Sequence, residues 1–206
     1  MMTDYLLLES RIATSVSGFN PQNVFLVTPS STLKEIVEGL ASHVRKRRDT
    51  FRTLFISAHG IEIDTHSVDD LLLQSTETAG GYGVRLGKDN LTLANVGEFA
   101  KLSGLFTKES RLALRACKIA QESPSTVVMD PERKVLSGNG KLLCLELAAH
   151  ANAKVLASDA VQHYRLRLGE SDVFDTGGTT MRWREDWDGN VFLFDPDTQS
   201  VSRAQG

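Results

Sequence analysis

Short apolar runs, each closed by a polar or reactive residue, alternate along this chain with stretches of helical period. Asp4 to Arg11 (DYLLLESR) and Asn23 to Val27 (NVFLV) read as strands, with Gly18-Phe-Asn-Pro21 as the turn between them. Asn23 to Val27 is apolar on both faces, which predicts a central place in a sheet. Ser31 reads as an N-cap, because Ser31-Thr-Leu-Lys-Glu35 opens a run with Leu33, Ile36, Val37, Leu40 and Val44 on one face. That helix should stop near Arg47, and Phe51 to Ser57 is the next strand. The periodicity then fails from Ile61 to Gly83, which reads as a loop or short insertion, and Val84 to Gly87 after it reads as a short strand of a small hairpin.

A second amphipathic helix is predicted from Asn95 to Gly104, followed by a strand from Arg111 to Ala116. Lys118 to Asn139 is long and polar, a length that compact domains use for functional or disordered segments. Lys141 to Ala151 reads as a buried helix and Lys154 to Asp159 as another parallel strand. The core is therefore β-α-β, then α-β, then α-β, an α/β pattern with a mostly parallel sheet. From about residue 178 to 204 the pattern alternates polar and apolar, with turn signals at Trp187-Asp-Gly-Asn190 and Asp195-Pro-Asp-Thr198. It predicts an antiparallel hairpin or meander added to one domain spanning 1–206, whose core is about 23–160.

Composition narrows the function classes. The chain has 206 residues, 41% hydrophobic and 24% charged, as a globular domain does. A net charge of −3 gives no footprint for nucleic acid, and Arg45-Lys-Arg-Arg48 reads as cations complementing a helix C-terminus. No apolar run approaches the ~18 residues of a membrane span. Two cysteines, Cys117 and Cys144, form no disulfide framework. With no signal peptide visible, the expectation is a cytoplasmic protein with reduced thiols.

Two strand ends hold the candidate chemistry. Thr53-Leu-Phe-Ile-Ser-Ala-His-Gly60 delivers His59, and Arg111-Leu-Ala-Leu-Arg-Ala-Cys-Lys118 delivers Cys117. In an open α/β sheet the ligand crevice lies outside the carboxyl ends of the strands. A thiol and an imidazole placed there have the makings of a nucleophile and its base. Gly60, lacking a side chain, would let a carbonyl approach its N–H. Each residue also has a plain reading: a free Cys ending a buried strand as packing, a His before Gly as a turn. Cys144, on an apolar helix face, reads as core. Trp183 and Trp187 read as cover for the hydrophobic face of the tail hairpin. His43, His66, His150 and His163 show no metal-ligand spacing.

Ser57-Ala-His-Gly60 after one apolar strand, then Leu114-Arg-Ala-Cys117 ending a later one, resembles the caspase-like (clan CD) cysteine peptidases. These include caspases, metacaspases, legumain, gingipains, separase and the bacterial CHAT domains. Gly87-Lys-Asp-Asn-Leu91, the following helix, the Cys strand, the glycine-marked helix Gly140 to His150 and Ala153-Lys-Val-Leu-Ala-Ser158 are similar in order to the bacterial CHAT-like and adhesin-associated members. The resemblance covers roughly Phe51 to Asp159, about half the chain, and departs from the family after Cys117, where the glycine often present is missing.

The resemblance implies a three-layer caspase-like sandwich with helices on both faces of the sheet. It makes Cys117 the nucleophile, His59 the general base and acid, and the Gly60 and Cys117 amides the oxyanion hole, with no third member required. The reaction would be endopeptidase cleavage of a protein substrate through a thioester acyl-enzyme, without cofactor or metal. The loop that starts with Ser158 and Asp159 would line the specificity pocket, and a carboxylate there would favour Arg or Lys at the cleaved position. Asp159 has an alternative reading as a turn cap. Asp64, Asp69 and Asp70 are lesser candidates. Arg133 and Lys134 could be autoprocessing points or part of an ordinary loop. A separately encoded regulatory or sensor protein would be the natural partner. The rivals are a catalytically silent interaction module of the same fold and an unrelated α/β hydrolase or small-molecule binder. No Gly-x-Ser-x-Gly elbow or phosphate-binding glycine loop supports the second of these.

Overall fold

The computed structural model describes residues 1–61, 63–65, 77–122, 128–129, 135–136, 138–162, 166–168, 171–173, 180–182 and 186–204. Its centre is a seven-stranded sheet. In chain order the strands are β1 (Met2–Glu9), β2 (Val24–Val27), β3 (Thr50–Ser57), β4 (Arg111–Arg115), β5 (Lys154–Ser158), β6 (Val191–Asp195) and β7 (Ser200–Arg203). In space the order is β7-β6-β5-β4-β3-β1-β2. The first five are mutually parallel, and β6 and β7 join antiparallel at one end. The chain is thus α/β with a mostly parallel sheet, and its tail adds two antiparallel strands as the alternating pattern predicts. The third tail segment, Thr180–Arg182, pairs elsewhere: it lies parallel to Ser15–Ser17 in a separate four-stranded sheet.

Helix α1 (Leu33–Lys46) joins β2 to β3. Its N-cap is Thr32, one residue later than Ser31, because Thr32 completes the capping box: its hydroxyl accepts from the Glu35 N–H, and the Glu35 carboxylate accepts from the Thr32 N–H. Helix α2 (Gly140–Ala151) joins β4 to β5, ending on Asn152 in the left-handed region. The segment predicted as an amphipathic helix from Asn95 to Gly104 is a 3₁₀ helix, Val96–Leu105. Its buried residues Val96, Phe99, Leu102 and Leu105 recur every third position, the period at which 3₁₀ side chains eclipse.

The expected helices on both faces are not found among the described residues. The buried hydrophobic residues of α1, α2 and the 3₁₀ helix Val96–Leu105 belong to one core cluster with Leu54, Ile56, Leu112, Leu114, Val155 and Ala157 of the sheet. The opposite face holds a smaller cluster of Leu6, Leu8, Ile12 and Ala13 with Val16, Phe19, Val24 and Phe55, none of them helical. The strand order explains this. The connections β2 to β3, β3 to β4 and β4 to β5 all step the same way across the sheet, and right-handed crossovers then lie on the same face. Only β1 to β2 steps the other way, and that short connection carries no α-helix, only a single 3₁₀ turn at Pro21–Asn23.

Strand β2 is a sheet edge rather than central: Leu26 is 42% exposed although its neighbours are apolar. Among the described residues no helix is long and apolar enough to cross a membrane.

Candidate functional site

β3 and β4 run side by side in register, with Ser57 opposite Arg115. The Ala58 N–H donates to the Arg115 carbonyl at 3.3 Å, extending the pairing past the strand end. Two places beyond Ser57 and Arg115 stand His59 and Cys117, both half-buried. The chain bends at His59: His59–Gly60 pairs antiparallel with Val84–Arg85, the small hairpin that the sequence predicts.

The Ile61 N–H donates to Gly83 at 2.9 Å, and Val84 exchanges both its backbone bonds with Leu91. In an antiparallel pair hydrogen-bonded positions alternate, so the Gly60 N–H points away from the hairpin. Gly60 itself lies on the backbone of Cys117. A Cβ there would sit 2.0 Å from the Cys117 carbonyl oxygen and 3.1 Å from its nitrogen. Only a residue without a side chain permits this approach.

The loop after Cys117 is held from both sides. The Lys118 N–H donates to Ala160 and the Ala120 N–H to Ser158, each at 2.9 Å, joining the loop to the end of β5. Across from these, Gly80 donates to the Gln121 side chain at 2.8 Å, and a Cβ on Gly80 would meet the Lys118 Cβ at 2.3 Å. Lys118 adopts φ 50°, the left-handed region that glycine favours. The chain thus turns immediately after Cys117, on a lysine.

The thiol of Cys117 donates to the Gln162 carbonyl at 3.7 Å, a weak bond typical of sulfur. The Gln162 side chain donates to Asp188 at 2.9 Å, and the Ser158 hydroxyl donates to the same carbonyl at 2.5 Å. Asp159 accepts from Asn190 on both oxygens, from the backbone N–H at 3.0 Å and from the side chain at 2.9 Å. Ser158 and Asp159 therefore lie beside the Cys117 loop, and both hold the turn at Asp188–Asn190. The turn's middle residue, Gly189, has φ 76° and packs on Ala160. Trp187 stacks against the guanidinium of Arg115, 5.1 Å from the ring centre, and Arg115 also donates to the Asp186 carbonyl at 2.7 Å. Arg115 is 5% exposed and is the last residue of β4, two residues before Cys117.

One residue near this site escaped the sequence reading. Glu9 ends β1, one place past the Leu8–Ser57 pair that joins β1 to β3. It is fully buried. Its Oε2 accepts from the Arg11 N–H at 2.8 Å, its Oε1 lies 3.5 Å from the Arg11 guanidinium, and Oε1 has no hydrogen-bond partner. Burial pushes the carboxyl above its ordinary value, while the Arg11 N–H, the Arg11 charge and the His59 imidazole act to lower it. The signal was available: Tyr5-Leu-Leu-Leu-Glu9 is an apolar run closed by a reactive residue, like the two that deliver His59 and Cys117.

Cys144 is buried in the core on α2, as expected, and burial pushes its thiol far above the usual range. His43 packs edge-on to Tyr5, and His150 pairs with Glu146 on the surface of α2. Asp64 lies in a hairpin strand, Ile63–Thr65, paired with Glu77–Ala79. His66, Asp69, Asp70, Arg133, Lys134, His163 and Trp183 lie outside the described residues. Among the described residues no group of His, Cys, Asp and Glu could hold a metal ion. No family model, curated protein or solved structure matches this chain.

Proposed function

We propose that this chain is a caspase-like cysteine endopeptidase that uses Cys117 as nucleophile and His59 as base. The observation that carries the reading is the seat of Gly60 on the Cys117 backbone, which joins the His and Cys strand ends at the carboxyl edge of one sheet. His59 takes the thiol proton, and the thiolate attacks the substrate carbonyl to form a tetrahedral intermediate. The outward Gly60 N–H, with that of Cys117, stabilises its oxyanion. The imidazolium returns the proton to the leaving amine, and water then hydrolyses the thioester with His59 again as base.

A preference for Arg or Lys at the cleaved position belongs to the same proposal. Both Asp159 oxygens are engaged with Asn190, so the preference would draw on their remaining lone pairs. A peptide library digested by wild type and by Cys117→Ala tests both points. Cleavage after basic residues that vanishes in Cys117→Ala is expected, and equal cleavage by the two proteins would sink the reading. An unchanged preference in Asp159→Ala would remove Asp159 from the pocket.

A catalytically silent interaction module is the second reading. It is favoured by the bond from the Cys117 thiol to a main-chain carbonyl, which leaves the thiol proton on sulfur. A thiol-directed probe separates the two: labelling of Cys117 that depends on His59 favours the enzyme, and absence of both labelling and cleavage favours the module.

A further inference from the structure

Residues 12–33 contain no Asp, Glu, Lys, Arg or His, although charged residues make up 24% of the chain. Strand β2 lies inside that stretch and forms one edge of the seven-stranded sheet; among the described residues no strand pairs with its outer side. Edge strands are usually guarded against further pairing by charges, prolines or bulges. The other edge, β7, follows this rule: all of its residues are exposed, and it ends on Arg203. Strand β2 does not. It reads Val-Phe-Leu-Val, and Leu26 is exposed.

Backbone direction shows which groups of this edge face outward. The Ser10 N–H donates to the Val27 carbonyl at 2.9 Å, so Val27, and by alternation Phe25, face β1. Val24 and Leu26 face away from it, and Thr28 is the next position in that alternation. The Val24 N–H already donates to the Pro21 carbonyl, and the Thr28 carbonyl already accepts from the Ser31 N–H at 3.1 Å. What remains along the edge is the Val24 carbonyl, both backbone groups of Leu26 and the Thr28 N–H.

That set complements itself when reversed. Laid antiparallel across a two-fold axis at Leu26, the two Leu26 residues exchange both their bonds, and each Thr28 N–H meets the Val24 carbonyl of the other copy. The groups this register leaves over are the two already bonded. Leu26 then opposes Leu26 on the face of the smaller cluster, to which Val24 belongs, and Phe25 opposes Val27 on the face of the helices. A two-fold axis sets each residue near it against its own like, so a charge there would repel itself. The stretch from Ile12 to Leu33 holds none.

We propose that β2 is a homodimerisation edge, at which a second copy of this chain adds its own β2 antiparallel and joins the two sheets into one. The occupant is a second copy because the outward groups and the uncharged flank both fit their own reversal. The contact is short, so the dimer is a reversible one. Its formation requires neither Cys117 nor His59.

Sedimentation velocity from about 1 μM to about 1 mM protein tests this. Wild type should pass from monomer to dimer and no further, since pairing uses up the β2 edge of both copies. Leu26→Lys sets two cations across the axis and should raise the dimer dissociation constant roughly tenfold or more. Val201→Lys, at an exposed position of β7, should leave it unchanged. Both variants should unfold at the wild-type temperature in dilute solution, because both positions are exposed. Hydrogen exchange of the wild type, read by mass spectrometry, needs no substitution: peptides covering residues 24–28 should gain protection as concentration rises, and those covering 200–203 should not. A wild type that stays monomeric throughout, oligomers larger than a dimer, a dimer weakened equally by both lysines, or unchanged exchange at residues 24–28 overturns the proposal.

Discussion

Replacing Gly60 by alanine tests the juxtaposition on which the site depends. The added methyl would lie 2.0 Å from the Cys117 carbonyl oxygen and 2.9 Å from its carbon. Carbon–oxygen contacts close at about 3.3 Å, so the two strand ends must part by roughly 1.3 Å. The obstructing atoms are backbone and cannot rotate away. Overpacking of this kind costs about 1–3 kcal/mol. In a domain of this size each kcal/mol moves Tm by about 2–4 °C, so Tm should fall by roughly 2–12 °C. The chemical effect should be larger, because a misplacement of about 1 Å costs reacting groups on the order of 100-fold. Gly104→Ala is the control: its Cβ would meet nothing within 4 Å. The assay is the rate of Cys117 alkylation, with peptide cleavage where it is found, beside thermal unfolding of both variants. If Gly60→Ala matches wild type in Tm and in alkylation rate, the His and Cys strand ends are not pressed together and the reasoning fails.

Other expectations follow from the same residues. Glu9→Gln should raise Tm at pH 7, because the buried ionised carboxyl opposes folding. The folded protein holds the Glu9 proton more tightly than the unfolded chain does. Wild type should therefore gain stability as pH falls from the raised folded value towards that of an ordinary carboxyl, and the gap between the two Tm curves should close by about pH 4; a gap that widens on acidification refutes this. Cys144 should resist thiol reagents in the folded protein and label only after unfolding, which mass spectrometry of labelled peptides can follow; labelling at the rate of Cys117 would place it outside the core. Lys118→Gly should be tolerated within about 1 kcal/mol in urea unfolding, since relief of a positive φ offsets the greater freedom of the unfolded chain; a loss of several kcal/mol would mean that the lysine side chain holds the loop.

Much of the sheet was legible because its strands are buried on both faces and read as unbroken apolar runs, Leu6-Leu-Leu8 and Leu112-Ala-Leu114 among them. The rest depended on relations that a local pattern does not carry. Val24–Val27 is as apolar as a central strand, and only the strand order makes it an edge. Whether helices cover one face or two depends on the direction of each crossover, which is undefined until the order is known. The cap fell at Thr32 because Ser31 and Thr32 are adjacent hydroxyl residues and only one stands three places before Glu35. His59 and Cys117 were legible because both types are reactive and both end an apolar run. Glu9 obeys the same rule, but the strand was read through to Arg11, so its true end went unmarked.

The hydrogen bonds that hold the Cys117 loop have a consequence for how the protein is made. Lys118 is anchored by Ala160, and Arg115 by Asp186, 71 residues further along. On a ribosome the chain leaves N-terminus first, so the thiol is exported well before its supports exist. Its loop can settle only after the turn at Asp188–Asn190 has emerged and docked on Ser158 and Asp159. Under the reading proposed above, the nucleophile would acquire its surroundings only after the chain through Asn190 has been made and docked.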